Sequence, residues 1–293
     1  MTLWNLEVPS WELRDMTVCI AAVCEENTDD RKIVLCTDRK ISSALGSAET
    51  TLKSRSLGVE SWRVLTSGAD RDIQSTLRLL KQRFSESESI DETNVLSIVR
   101  AALNQRKKDK ADELVNGRLA ISYSEFLERG KKKLPKDIFR AITAEVELTK
   151  IDAEFVIVGY AYGFPILLKT DGNCGASIRE HFAVAGEGAY LAQAALLSRA
   201  HNHLETLGRT IYSVYEAKKF SQGAPSVGEE TSITILHQDG RHNLVSTTRG
   251  LAFLEEQYQK FGPKKVSRDL KVSPELFEKL ATVPPREPKK DSS

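Results

Sequence analysis

The chain has 293 residues, 40% of them hydrophobic and 28% charged, and its formal net charge is +1. These values are typical of a globular protein, and a net charge so near zero predicts neither nucleic acid nor an anionic membrane surface as a partner. The sequence lacks an apolar run near the roughly 20 residues of a membrane span, so no membrane association is predicted.

The cysteines favour a reducing, cytoplasmic location. Cys19, Cys24, Cys36 and Cys174 show no CxxC spacing. Cys19 and Cys36 lie in apolar strand patterns, where a free cysteine behaves as a small hydrophobic residue. The first residues lack the basic end and apolar stretch of a secretory signal. Disulfides are rare in the cytoplasm, which agrees with cysteines of this kind.

The first half of the chain predicts strands followed by helices. Residues 1–16 are interpreted as an N-terminal extension, either a propeptide or a docking segment, or as upstream sequence included by a mis-assigned start. Short apolar runs bounded by polar turns indicate strands, and apolar residues at helical spacing indicate helices. We expect strands at 17–24, 32–38, 56–59 and 62–66, and helices at 72–84 and 95–103.

The second half repeats this order after a charge-rich stretch. Residues 104–150 carry spaced aliphatic residues and are predicted as a helical insertion. The elements expected after it are strands at 155–160, 165–169 and 182–188, helices at 189–201 and 204–220, strands at 231–236 and 244–248, and a helix at 251–261. Residues 263–293 form a Pro/Lys-rich tail that is expected to be partly disordered.

Alternating groups of strands and helices predict an α+β fold for residues 17–262. Two antiparallel sheets packed face to face between two helical layers bury the apolar face of every element. We therefore expect a four-layer αββα sandwich.

Three chemically active side chains lie near the predicted ends of the first strands. Thr17 begins the first strand, Asp38 ends the second, and Lys53 follows in a third segment. Together with the segment LTSGAD, which contains Gly68, and the later segment VAGEG, they resemble the proteasome-type N-terminal nucleophile hydrolases. Within that superfamily the chain is most similar to the bacterial proteasome-like proteins, and the resemblance covers about residues 17–236.

The resemblance implies a threonine-type peptidase or amide hydrolase on the αββα fold. It implies a peptide or small amide substrate, a ring- or spiral-shaped homo-oligomer, and neither a cofactor nor a metal. The sequence does not identify an unfoldase partner, and the insertion at 104–150 either gates a chamber or blocks the stacking of rings.

The implied chemistry starts from an N-terminal threonine. A threonine hydroxyl is a poor nucleophile and needs an adjacent base. Thr17 carries such a base if it is the first residue, because a free α-amine has a pKa of roughly 7.7–8.0. Lys53 is then expected to stabilise the alkoxide and Asp38 to hold the Lys53 ammonium. Gly68 matches the family's oxyanion donor through its backbone N–H.

This mechanism depends on where the working chain begins. Met16 precedes Thr17 and resembles the product of a start codon whose methionine is removed, since threonine is small. With residues 1–16 attached, the Thr17 nitrogen is an amide and cannot act as the base.

The sequence also departs from the family pattern. Glu187 stands where active members carry a serine, and Lys219 stands where they carry an aspartate. Ser221 is one place from the position of a second family serine. The alternative is therefore a non-catalytic assembly or interaction protein, in which Asp38 and Lys53 form a structural ion pair.

Two further features favour plain interpretations. His201 and His203 lie two residues apart without an evident third ligand, so a solvated helix end is preferred to a metal site. Residues 131–133 are three lysines, but acidic residues flank them and no set of aromatic residues accompanies them, so a solvated face is preferred to nucleic-acid binding.

Overall fold

The computed structural model describes residues 17–43, 46–48, 53–59 and 61–263. The extension expected at 1–16 and the tail expected after residue 263 lie outside the described residues.

Groups of strands and helices alternate along the described chain. The strands are β1 Cys19–Cys24, β2 Lys32–Asp38, β3 Ile41–Ser43, β4 Gly46–Ala48, β5 Ser54–Ser56, β6 Arg63–Gly68, β7 Ala153–Ala161, β8 Phe164–Thr170, β9 Ala176–Arg179, β10 Phe182–Ala185, β11 Thr231–His237 and β12 His242–Leu244. The helices are α1 Asp70–Glu86, α2 Val95–Leu119, α3 Tyr123–Glu125, α4 Lys131–Lys133, α5 Lys136–Glu147, α6 Ala189–Ser198, α7 Leu207–Ser221 and α8 Thr248–Phe261, with a π-helical segment Phe126–Gly130 between α3 and α4.

Two five-stranded antiparallel sheets form the centre of the described structure. The first has the strand order β10-β1-β2-β11-β12 and the second β5-β6-β7-β8-β9, while β3 and β4 form a separate ribbon. Every residue of β1 and β2 is buried, as expected for central strands that are covered on both faces. The predicted α+β class with two antiparallel sheets is confirmed.

Three buried apolar clusters define the layers. Along β1, Ala21 faces a cluster between the two sheets, whereas its neighbour Ile20 faces α6 and α7. Along β7, Val156 joins the same central cluster, whereas Phe155 packs with residues of α1 and α2. Alternate side chains of a strand point to opposite faces of its sheet. Helices, sheet, sheet and helices therefore stack in that order, which agrees with a sandwich.

Helix α2 continues past its predicted end at residue 103, and a buried ion-pair network stabilises the continuation. Arg106 Nη2 donates to Asp72 Oδ1 over 2.8 Å, and Lys110 Nζ donates to Asp72 Oδ2 over 2.5 Å. Burial raises the pKa of Asp72, but the hydrogen bonds from Lys110 and Arg106 outweigh it and hold the pKa of this carboxyl below its usual value. The prediction uses apolar spacing, and a buried charged residue such as Arg106 interrupts that spacing. The predicted helix therefore ends too early.

Residues 104–150 are largely helical, and side chains from this stretch form a small core of their own. Val115, Phe126 and Ile142 are buried together, and the Phe126 and Phe139 rings stack with their centroids 5.0 Å apart. The lysines of α4 are exposed, as predicted for a solvated face. Among the described helices, none combines the length and the apolar composition needed to cross a membrane.

Three predicted strand bounds need correction, and one strand of the second sheet is not predicted. The strand expected at 182–188 ends at Ala185, before the turn at Gly186. The strand expected at 56–59 ends at Ser56, because Gly58 turns the chain with φ +91°. The strand expected at 244–248 ends at Leu244, because the Thr247 hydroxyl caps α8 by accepting the Gly250 N–H at 3.1 Å. The sequence does not predict β9, whose only buried residue is Ala176, so the alternation that marks a half-buried strand is absent there.

Candidate functional site

The carboxylate of Asp38 is the centre of the site. Asp38 is fully buried at the end of β2. Its Oδ1 accepts hydrogen bonds from the Thr17 hydroxyl, from the Val18 N–H at 3.2 Å and from the Lys53 ammonium at 3.1 Å. Its Oδ2 accepts the Gly228 N–H at 3.1 Å. Four donors from three separate segments of the chain therefore satisfy one buried carboxylate.

Strand pairing explains why Thr17 meets Asp38. β1 and β2 are antiparallel, with Cys19 opposite Thr37. The residues just before β1 consequently lie beside the end of β2. The register was accessible from the sequence, because a short polar turn between two apolar runs predicts an antiparallel hairpin.

Lys53 links the second sheet to the first. Its carbonyl accepts the Thr66 N–H at 3.1 Å, which fixes its backbone beside β6. Its side chain is only 6% exposed and reaches the Asp38 carboxylate of the first sheet. Since a buried ion left without its partner is costly, this pair also joins the two sheets at the site.

Gly68 occupies a position that suits glycine. Its φ is +121°, and a Cβ there would overlap the backbone of Asp152. The Ala69 N–H donates to the carbonyl of Asp152, just before β7, at 2.7 Å, whereas the Thr66 N–H donates to the Lys53 carbonyl on the other side of β6. Because successive N–H groups alternate along a strand, the Gly68 N–H points to the Lys53 side. That orientation is the one an oxyanion donor next to Lys53 requires.

A glycine turn after β10 closes against Thr17. The Gly188 N–H donates to the Thr17 carbonyl at 3.3 Å. Gly186 has φ +90°, and a Cβ there would overlap the Thr17 carbonyl and lie 2.8 Å from Ser67 Oγ. The Gly186 N–H donates to Glu154 Oε2 at 3.0 Å. The turn thus fixes the Thr17 backbone without using a side chain of its own.

The three residues at which the sequence departs from the proteasome-type pattern, Glu187, Lys219 and Ser221, have different surroundings. Glu187 accepts the Ser226 hydroxyl at 2.5 Å. Lys219 is partly exposed and pairs with Glu255 at 3.2 Å, away from Asp38. Ser221 is fully buried and donates to the carbonyl of the residue three positions before it in α7 at 2.6 Å.

Lys218 is a component of the site that the sequence did not reveal. It is fully buried, and its Nζ donates to the Gly228 carbonyl at 2.7 Å. The Gly228 N–H in turn donates to Asp38, so one peptide connects this second lysine with the central carboxylate. Lys218 and Lys219 are adjacent in sequence, and only the rotation of α7 against the sheet decides which one is buried.

The neighbouring thiols are poor candidates for a nucleophile. Burial raises the pKa of Cys36 to about 12; Lys218 lowers that pKa and Asp38 raises it. Burial likewise raises the pKa of Cys19, with smaller opposing effects of Lys53 and Asp38. The thiolate is the reactive form of cysteine, so both remain unreactive near neutral pH. Of the groups that bond to Asp38, the Thr17 hydroxyl is the candidate nucleophile.

A cleft of about 460 Å³ adjoins the cluster. Its walls include Ser67, Gly68, Gly186 and the acidic residues Glu154 and Glu187. The volume falls in the range of roughly 300–1,000 Å³ that is usual for small-ligand sites. Thr17 lies behind this wall, in contact with Gly186, and is itself fully buried.

No family model matches the chain, and a search of curated proteins finds no significant match. The interpretation of the site therefore rests on its geometry and on the sequence motifs.

Proposed function

We propose that the protein is a threonine-type amide hydrolase in which Thr17, carrying a free α-amine, is the nucleophile. This is the activity expected from the resemblance to proteasome-type hydrolases. One observation supports it above all others. The Thr17 hydroxyl and the Lys53 ammonium meet on the same oxygen of buried Asp38, next to a cleft that Gly68 lines.

In the proposed reaction the Thr17 amine takes the hydroxyl proton as Oγ attacks the substrate carbonyl carbon. A carboxylate is in general a weaker base than an α-amine. Asp38 therefore orients the hydroxyl and the Lys53 ammonium, and the amine moves the proton. Lys53 stabilises the negative charge that develops on Oγ.

The tetrahedral intermediate places its oxyanion at the Gly68 N–H, where a preorganised donor is most effective. Collapse breaks the C–N bond, and the protonated Thr17 amine gives its proton to the leaving amine. The resulting ester on Thr17 is then hydrolysed by water, with the amine again as the base.

The charges of the cleft suggest the substrate class. Among the described residues, its walls contain the carboxylates of Asp152, Glu154 and Glu187 and the ammonium of Lys150. A positively charged group next to the scissile amide gains from this field. We propose peptides or amides with a basic side chain as preferred substrates.

The test compares the chain that begins at Thr17 with the chain that retains residues 1–16. Fluorogenic peptide amides with lysine, leucine or glutamate before the scissile bond report the hydrolysis rate. The Thr17-initiated chain should cleave the lysine substrate fastest, and Thr17→Ser should retain activity. Thr17→Val preserves size but removes the hydroxyl, so it should abolish activity.

Two results would overturn the proposal. Activity that survives in the Thr17→Val chain would place the nucleophile elsewhere. A well-folded Thr17-initiated chain that cleaves none of these amides would also count against a hydrolase.

The second candidate is a non-catalytic interaction protein. The observation that favours it is the complete burial of Thr17 and Asp38 with four donors on the carboxylate, which is also what a structural junction needs. It predicts an inactive chain whatever its first residue. A homo-oligomer is expected under both candidates and is measured by size-exclusion chromatography with light scattering.

A further inference from the structure

Three connections of the chain meet at the end of β1 that is remote from Thr17. They are the β1–β2 turn, the β9–β10 connection and the α6–α7 loop. The Val23 N–H donates to the His181 carbonyl at 2.9 Å, and the Glu26 N–H donates to the His203 carbonyl at 3.2 Å. These bonds fix the backbones of all three connections relative to one another.

The side chains at this junction form a cluster of nitrogen and oxygen ligands. His181 Nδ1 lies 2.7 Å from His203 Nδ1. His203 Nδ1 lies 3.6 Å from Glu26 Oε2 and 3.7 Å from Glu180 Oε1. Ligand atoms of Glu180, His181 and His203 all lie within 4.8 Å of one another. His203 therefore has protein partners instead of the solvated surroundings expected from the sequence.

We propose that Glu180, His181 and His203 bind Zn²⁺, with the Glu26 carboxylate beside them. Two imidazole nitrogens with carboxylate oxygens suit zinc, whereas Mg²⁺ and Ca²⁺ prefer oxygen ligands alone. Zinc bonds of about 2.0–2.1 Å in a tetrahedron separate neighbouring ligand atoms by roughly 3.3 Å. The two Nδ1 atoms must then move apart by about 0.6 Å from their hydrogen-bonded 2.7 Å. The two distances from His203 Nδ1 to the carboxylate oxygens of Glu26 and Glu180, 3.6 and 3.7 Å, already lie near this separation.

The surroundings give an ion both access and charge compensation. Glu26 and Glu180 line a surface cleft of about 510 Å³, so both carboxylates are open to an ion from solvent. The two carboxylates balance the charge of one Zn²⁺. Bound zinc joins three connections that lie far apart in sequence, so it stabilises this end of the first sheet.

The proposed zinc site is independent of the hydrolase proposal. It lies beyond Cys24 at one end of β1, and Thr17 precedes Cys19 at the other. The six residues of β1 alone span roughly 20 Å at about 3.3 Å per residue. Zinc at this distance does not contact the reacting groups. Zinc binding and amide hydrolysis can therefore be lost, and measured, separately.

The experiment measures zinc binding by the full chain after removal of metal and of any affinity tag. Isothermal titration calorimetry gives stoichiometry and affinity, and Co²⁺ absorption reports the coordination number. The variants are Glu180→Gln, whose side chain is 74% exposed, and the double variant His181→Ala with His203→Ala. His242→Ala, at an exposed position of β12, is the matched control.

The proposal predicts one Zn²⁺ per chain, a four-coordinate Co²⁺ spectrum and a thermal unfolding temperature that zinc raises. His242→Ala should behave as the wild type. The double variant should lose affinity by at least roughly 100-fold, since even outer partners of a metal cost about 10–100-fold. Absence of zinc binding to the wild type would overturn the proposal. It would also be overturned if Glu180→Gln and the double variant both bound zinc with the affinity of the wild type.

Discussion

Replacement of Asp38 by asparagine tests whether the buried carboxylate holds the site together. The test measures the free energy of unfolding and does not assume an activity. Asp38→Asn keeps the shape of the side chain but removes the charge. It leaves the buried Lys53 ammonium without its counter-ion, and its amide nitrogen faces groups that are themselves donors. Four donors now converge on this side chain, so the substitution cannot satisfy all of them.

The expected loss is large for one residue. Breaking a buried ion pair from one side costs about 3–5 kcal/mol, and the two side chains here are 6% and 0% exposed. Domains of ordinary stability unfold with about 5–15 kcal/mol. Urea unfolding followed by far-UV circular dichroism should show the Asp38→Asn midpoint shifted strongly to lower urea with the slope unchanged.

A double variant separates the ion pair from general damage. Lys53→Met removes the ammonium and keeps most of the side-chain volume, so adding it to Asp38→Asn should recover part of the lost stability. A positive coupling of about 0.5–3 kcal/mol is expected for groups in direct contact. If Asp38→Asn lowered the free energy of unfolding by less than about 1 kcal/mol, the value typical of exposed ion pairs, Asp38 would not be the buried centre of this cluster.

Three further predictions concern the surroundings of the site. Gly186→Ala should destabilise the protein well beyond Gly58→Ala, because both have φ near +90° but only the first would place a Cβ against neighbouring atoms; Gly58→Ala should cost about 1–2 kcal/mol in urea unfolding. Asp72→Asn should lower the unfolding free energy at neutral pH, and the difference from the wild type should shrink as pH falls below about 4 through the depressed folded-state pKa; a pH-independent difference would contradict this. Near neutral pH, Cys174 should be the only thiol that an aromatic disulfide reagent reaches in the native protein, since the other three cysteines are buried, and rapid reaction of a second thiol would be inconsistent with that burial.

The proximity of Thr17 and Asp38 could be predicted from the sequence because it follows from the pairing of neighbouring strands. A short turn between two apolar runs gives an antiparallel pair, so the start of β1 and the end of β2 had to be adjacent, and with them Thr17 and Asp38. Lys53 was placed through the resemblance, and the structure brings its ammonium to the same carboxylate.

Other parts of the site depend on tertiary packing. The burial of Lys218 instead of Lys219 follows from the orientation of α7, which no periodicity fixes for two adjacent lysines. The His181–His203 contact joins residues 22 positions apart in two connections that carry no pattern of their own. The continuation of α2 past residue 103 likewise depends on Asp72 in another helix, which compensates the buried charge of Arg106.

The most direct test of the central claim is the N-terminal sequence and intact mass of the protein purified from its native host. The hydrolase account predicts a chain that begins at Thr17, with a free amine beside Asp38 and Lys53. A chain that begins at Met1 or Thr2 would contradict it, because the Thr17 nitrogen would then be an amide without the basicity that the reaction requires.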